Sequence, residues 1–175
     1  MIKEISWRLY NSNLGKTKQD CLVYLHTAKA FLESSEKLTN SLGRPTVDQR
    51  KVLYNLIGIS FELIFKSFLR MNGYEKKDLK KINHNLTDLY RKTRKKGLDI
   101  LNKEEVKLVI NLNIKYYRDK EFKYSTQYIN LPPPKDYFPI ANNLYRKVKN
   151  MVDRSPNKPI KIKFLKSYAN SNKIQ

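Results

Sequence analysis

The order of apolar and polar positions predicts a chain built mainly from amphipathic helices. Apolar residues recur every three or four positions over 20–38, and this pattern stops at the Gly- and Pro-containing segment 41–45. A second helix is expected over 46–71, because Thr46 and Gln49 have the identities and spacing of a capping box. Two of the main helices are thus predicted from local signals alone.

The middle of the helix predicted over 46–71 is apolar almost all round. A helix of this kind has to be surrounded by others, so we expect it to be the central helix. Gly58 lies in its interior, where glycine costs about 1 kcal/mol relative to alanine, which predicts a close neighbour at that position. Glu62 and Lys66 lie four residues apart and are expected to pair.

Three further helices are predicted beyond a basic connector at 74–83. A short one is expected over 86–96, and a longer one over 102–117 starts at a second capping box. The stretch 118–138 contains three consecutive prolines and is expected to be irregular. A last helix is predicted over 139–153, with a proline at its first position.

Composition agrees with one globular domain. Only five glycines occur in 175 residues, which argues against a many-stranded β fold, and 40 % of the residues are hydrophobic. We expect an all-α bundle of four to five main helices over 20–153, an N-terminal segment over 1–19 and a basic C-terminal tail over 154–175.

Several classes of protein are excluded by missing motifs. The single cysteine, Cys21, excludes an internal disulfide framework and a Cys-based zinc site, and two histidines are too few for a His-rich metal centre. The phosphate-loop, dinucleotide, zinc-protease and serine-hydrolase motifs do not occur. No uninterrupted apolar run approaches the roughly 20 residues that span a bilayer. We expect a cytoplasmic protein without cofactor, metal or membrane partner.

The charge of the chain is strongly positive and suggests its partner. Lys and Arg number 36 against 16 Asp and Glu, giving a net charge of +20, which attracts RNA or another polyanion. Compositional drift in a Lys-rich sequence is the alternative explanation. Between residues 75 and 97, nine cations face three acids and are candidates for one nucleic-acid-binding surface: Lys76, Lys77, Lys80, Lys81, Arg91, Lys92, Arg94, Lys95 and Lys96. The alternative is that these nine cations form an ordinary solvent-exposed face that binds no ligand.

Three segments, in this order, resemble the HEPN superfamily of small helical-bundle domains. They are the central helix from Glu62 to Lys66, the Asn83-His84-Asn85-Leu86 start of the short helix, and the segment from Tyr117 to Tyr124. The resemblance spans roughly residues 20–153. It implies a HEPN-like bundle, a homodimer, and a role in a defence, toxin–antitoxin or regulatory system with a cognate protein partner.

Active HEPN members cleave RNA without a metal, using an arginine and a histidine, and the resemblance places these positions on this chain. Arg118 matches the arginine and Asp119 its polar neighbour, whereas the histidine position is occupied by Lys123. Lysine, with an ordinary pKa of about 10.4, is a poor general base at neutral pH. The resemblance therefore implies an RNA- or partner-binding module without robust catalysis. The alternatives are a metal-independent endoribonuclease using Arg118 with Lys123 or Tyr124, and an interaction domain that docks an acidic protein.

Other residues near this motif have supporting roles in the prediction. Glu62, Lys66 and His84 are expected to support the site, with His84 capping or packing at the short helix. Arg118 has an alternative role as a cation at a helix C-terminus that pairs with Glu62. Aromatic residues between 116 and 138 offer stacking surfaces for unpaired bases, although core packing accounts for about half of them on the alternative reading.

Overall fold

The computed structural model describes residues 2–114, 116 and 131–155, with side chains from residue 17 onward. Its described part contains helices, one 3₁₀ turn and no strand, which confirms the all-α prediction. The elements are α1 (Ile2–Leu42), α2 (Val47–Met71), α3 (Lys76–Ile82), α4 (Leu86–Lys95), α5 (Lys103–Asn113), the 3₁₀ turn Pro134–Asp136, and α6 (Phe138–Arg154).

Two parts of the architecture differ from the sequence prediction. α1 runs through residues 19 and 20 as one helix, where a separate segment over 1–19 was expected, and the isolated Gly15 does not interrupt it. The expected connector at 74–83 contains α3, in which the Asp78 carboxylate accepts a hydrogen bond from the backbone N–H of Glu75. Four of the seven α3 residues are lysines, so its helical apolar pattern is reduced to little more than Leu79.

Both predicted capping boxes are present. Thr46 and Gln49 exchange side-chain and backbone hydrogen bonds of 2.8 and 3.3 Å at the start of α2. Asn102 and Glu105 do the same at α5, at 2.8 and 2.9 Å. These reciprocal bonds satisfy N–H groups that a helix start otherwise leaves free. Because each box is complete within four residues, both helix starts could be predicted from the local sequence.

The central position of α2 is confirmed, because α1, α4 and α6 all pack against it. Phe61 is fully buried and Leu63 is half-buried against the core. By length and composition α2 is also apolar enough to cross a membrane, but 67 % of that window is buried inside the bundle. That burial is the behaviour of a core helix surrounded by others.

A polar junction at one end of the bundle positions α3. Asp20 of α1 accepts hydrogen bonds from the Arg70 guanidinium and lies 2.8 Å from Lys76 Nζ. Burial pushes the pKa of Asp20 upward, but the hydrogen bonds from Lys76 and Arg70 outweigh it and lower that pKa below its ordinary value. The same carboxylate therefore connects α1, α2 and the first turn of α3.

Candidate nucleic-acid interface and the buried Glu62 cluster

We call the nine predicted cations on α3, on α4 and at the end of α4 the basic surface. Eight of them are exposed, and Lys92 is half-buried. Four are paired with carboxylates: Lys76 with Asp20 at 2.8 Å, Lys77 with Glu75 at 2.9 Å, Arg91 with Asp88 at 3.6 Å, and Arg94 with Asp99 at 3.2 Å. The other five have no ion-pair partner within the described residues: Lys80, Lys81, Lys92, Lys95 and Lys96.

A groove of about 420 Å³ joins the two halves of the basic surface. Lys81 of α3 and Lys92 of α4 line it, together with the carboxylates of Asp78 and Asp88. The Tyr74 ring also lines the groove, and Lys96 Nζ lies over this ring, 5.9 Å from its centroid. The structure thus places one cation from each of the two runs, Lys81 and Lys92, on the same groove.

A second polar group, the Glu62 cluster, consists of Glu62, Lys66, His84 and Tyr116. Glu62 is only 5 % exposed and lies within the largely apolar α2. Its Oε1 accepts a 2.5 Å hydrogen bond from Lys66 Nζ, which confirms the predicted pair. Its Oε2 lies 2.9 Å from His84 Nδ1 and accepts a 2.9 Å hydrogen bond from the Tyr116 hydroxyl. A buried carboxylate with three partners is well compensated for its loss of water.

His84 is the exposed member of this cluster. Its side chain is 58 % exposed, and the residue lies in the short link between α3 and α4. An ionised Glu62 carboxylate only accepts hydrogen bonds, so we assign the proton to Nδ1, which leaves Nε2 directed away from that bond. Of the two roles predicted for His84, capping is wrong, because Asn85 caps α4. The imidazole packs edge-on against the Tyr116 ring, with 6.4 Å between the ring centroids.

Tyr116 explains the glycine in the centre of α2. A Cβ added at Gly58 would lie 2.7 Å from Cδ2 of the Tyr116 ring, so the close neighbour predicted at Gly58 is present. The pKa of the Tyr116 hydroxyl is raised far above its ordinary value, mainly by burial and secondly by the nearby negative charge of Glu62. The Tyr116 hydroxyl is therefore a neutral hydrogen-bond donor at physiological pH.

The Tyr116 hydroxyl was missed as a partner of Glu62, since the sequence places it only on an apolar helix face. The available signal was a carboxylate inside an almost wholly apolar helix, which requires buried partners. Asn113 was missed similarly: its side-chain oxygen accepts a 2.7 Å hydrogen bond from Leu86 N and so supports the start of α4.

Part of the predicted site lies outside the described residues, namely Arg118, Asp119, Lys123 and Tyr124. Of the aromatic residues considered for stacking, Tyr137 is fully buried, so its ring is core and not a surface for bases. No group of three or more potential metal ligands occurs among the residues that the structure describes. No protein-family model, curated protein or solved structure matches the chain, and the HEPN resemblance stays a prediction.

Proposed function

We propose that this chain is a HEPN-like module that binds single-stranded RNA through the basic surface, without robust cleavage at the 118–123 motif. The observation that carries the proposal is the set of five lysines without ion-pair partners in the described part of the chain. A lysine already paired with a carboxylate has to give up that partner to bind a phosphate, whereas these five do not.

The arrangement of these lysines also favours a polyanion over a single small anion. Lys81 of α3 and Lys92 of α4 both line the groove, and Lys95 and Lys96 extend the positive charge to the C-terminal end of α4. A flexible chain of phosphates can follow such a surface and releases counterions at each contact. The proposed setting, a homodimer in a defence, toxin–antitoxin or regulatory system, follows from the HEPN resemblance alone.

The test compares two triple variants that remove the same charge at different places on the surface. One replaces Lys80, Lys81 and Lys92 by Gln in the basic surface. The matched control replaces Lys37, Arg44 and Lys135 by Gln; all three are exposed and none of them lines the groove. Binding of a labelled single-stranded RNA is measured by fluorescence anisotropy over a series of salt concentrations.

We expect the basic-surface variant to bind more weakly and to show a flatter salt dependence. Three lost phosphate contacts reduce the slope of log K against log salt by about 2, since each single-strand contact contributes about 0.7. The control is expected to keep the native slope. Equal weakening in both variants would mean that net charge acts without a defined surface. Absence of RNA binding, with capture of an acidic protein through the same lysines, would favour the interaction-domain alternative.

The second candidate function, metal-independent cleavage of RNA, is favoured by the Glu62–His84 contact. A histidine whose Nδ1 is held by a buried carboxylate presents Nε2 as a base in a fixed orientation. Acting on RNA, Nε2 would take the ribose 2′-hydroxyl proton, the 2′-oxygen would bond to the adjacent phosphorus, and the 5′-oxygen would leave with a proton from solvent. The products are a 2′,3′-cyclic phosphate and a 5′-hydroxyl end.

Incubation of the native chain with labelled RNA and a chelator separates the two functions. Cleavage that survives the chelator and is lost in His84→Gln would establish the second candidate. The matched control is His26→Gln, which alters the other histidine, exposed on α1. Retention of intact RNA by the native chain and by both variants supports binding without cleavage.

A further inference from the structure

The groove between α3 and α4 contains negative as well as positive side chains. A surface that only attracted phosphates would be weakened by the two carboxylates, because each repels an anion. Lys81 and Lys92 are nevertheless accompanied there by Asp78 and Asp88. Such a groove suits a ligand that combines an anionic group with hydrogen-bond donors, and a nucleotide within an RNA strand has both.

The two carboxylates differ in how far their oxygens are already used. Asp88 Oδ2 accepts a 3.0 Å hydrogen bond from the Asn85 side chain, and its Oδ1 lies 3.6 Å from the Arg91 guanidinium. Asp78 accepts only one bond, at 3.2 Å from Glu75 N to Oδ2, and its Oδ1 has no partner among the described residues. Since each carboxylate oxygen accepts two hydrogen bonds, Asp78 has more unused accepting capacity than Asp88 and is the carboxylate more available to a ligand.

The bases of RNA differ in what they offer to a carboxylate. On its Watson–Crick edge, an unpaired guanine carries an N1–H and an N2 amino group side by side, which match the two oxygens of one carboxylate. Adenine, cytosine and uracil each present a single donor group there, next to acceptors that a carboxylate repels. Readout of these edges is the usual means by which proteins recognise single-stranded RNA.

We propose that the groove holds one unpaired guanine of the bound RNA, with the Asp78 carboxylate accepting hydrogen bonds from its N1–H and N2 amino groups. Lys81 and Lys92 contact the phosphates on either side of that nucleotide, and Tyr74 and Ile82 supply the less polar part of the lining. This inference rests on the proposed RNA-binding function and adds a base preference to it.

The experiment uses ten-residue oligouridines that differ only at one central base: guanine, adenine, or hypoxanthine, which keeps N1–H and lacks the amino group. Their affinities for the full chain are measured by anisotropy at one fixed salt concentration. Asp78→Asn is the test variant, since its amide oxygen still accepts the Glu75 N–H bond that starts α3. Asp99→Asn is the control, because it removes the same charge from an exposed residue that does not line the groove.

For the native chain we expect the guanine oligomer to bind roughly 5- to 150-fold more tightly than the adenine oligomer, the range for a two-bond base contact, with hypoxanthine between them. Asp78→Asn removes this preference, even though its lost negative charge strengthens binding of the adenine oligomer. Asp99→Asn strengthens all three oligomers by a similar factor and keeps the preference.

Three results overturn the inference in distinguishable ways. Equal affinity of the native chain for all three oligomers refutes the guanine site and leaves RNA binding intact. A guanine preference that survives Asp78→Asn places the recognition elsewhere. Binding of none of the oligomers refutes the proposed function itself; if free guanosine monophosphate then binds and depends on Asp78, the groove is a mononucleotide site instead of an RNA subsite.

Discussion

Replacing Gly58 by alanine sets two effects of known sign against each other. Alanine favours the interior of a helix over glycine by about 0.8–1.0 kcal/mol, so an unobstructed Gly58→Ala change would stabilise α2. In this fold the new Cβ meets the Tyr116 ring, with distances of 2.7, 2.9 and 3.0 Å to Cδ2, Cγ and Cε2. These distances are too short for carbon atoms, so either the ring or the helix has to move.

The surroundings of Tyr116 decide which effect is larger. Its hydroxyl is hydrogen-bonded to the buried Glu62, and the edge of its ring packs against His84, so a ring displacement disturbs both contacts. Overpacking of this kind typically costs about 1–3 kcal/mol, which exceeds the gain in helix propensity. We expect Gly58→Ala to destabilise the protein by up to about 2 kcal/mol, which lowers Tm by up to about 8 °C for a chain of this size.

Urea unfolding followed by far-ultraviolet circular dichroism measures this change, provided that the slope m stays constant. The control is the same substitution in a Tyr116→Ala background, where the obstructing ring is absent and Gly58→Ala should be neutral or stabilising. A gain of about 1 kcal/mol in the native background, the full propensity difference, would refute the packing argument.

Three other substitutions or modifications test the cluster, the core and the motif. Glu62→Gln should destabilise the fold by about 1–3 kcal/mol in urea, because Lys66 loses a charged hydrogen-bond partner; unchanged stability would contradict a structural role for the ion pair. Burial raises the pKa of the Cys21 thiol to about 11, so a thiol reagent at pH 8 should react only after unfolding, and rapid labelling of the folded chain would contradict this. The stability that this neutral thiol contributes should fall as the pH rises through that value, because the thiol of the unfolded chain ionises at a lower pH. Lys123→His should restore some ribonuclease activity while Arg118 is intact, because general acid–base catalysis contributes about 10²–10⁴-fold. Strong cleavage by the native chain that Arg118→Ala abolishes would contradict a degenerate motif. If Arg118→Ala only lowers Tm, Arg118 is a structural cation.

Local signals predicted the parts of the fold that local interactions determine. The starts of α2 and α5 were predicted correctly, because a capping box is complete within four residues. The same holds for the Glu62–Lys66 pair, whose spacing places both side chains on one helix face. The close neighbour at Gly58 was inferred from the energetic cost of glycine, although its identity was not.

The features that the sequence did not reveal depend on tertiary contacts. Glu62 lies 54 positions before Tyr116 in the chain, and no periodicity relates them. α3 was hidden because its lysines mask a helical pattern whose only buried member is Leu79. The groove exists only because the fold brings residues of α3 and α4 to one lining, so the carboxylate of Asp78 could not be distinguished from the other acids of the sequence.

The small buried area of α3 has a consequence for the time scale on which the basic surface exists. A seven-residue helix that buries one leucine and carries four lysines opens at little free-energy cost, whereas opening of α2 requires disruption of the core. Backbone amides of α3 should therefore exchange with deuterium well before those of α2. Because a ligand that binds only the closed form suppresses opening in proportion to its occupancy, slowed amide exchange in α3 would report polyanion binding from the protein's side, without any label on the nucleic acid.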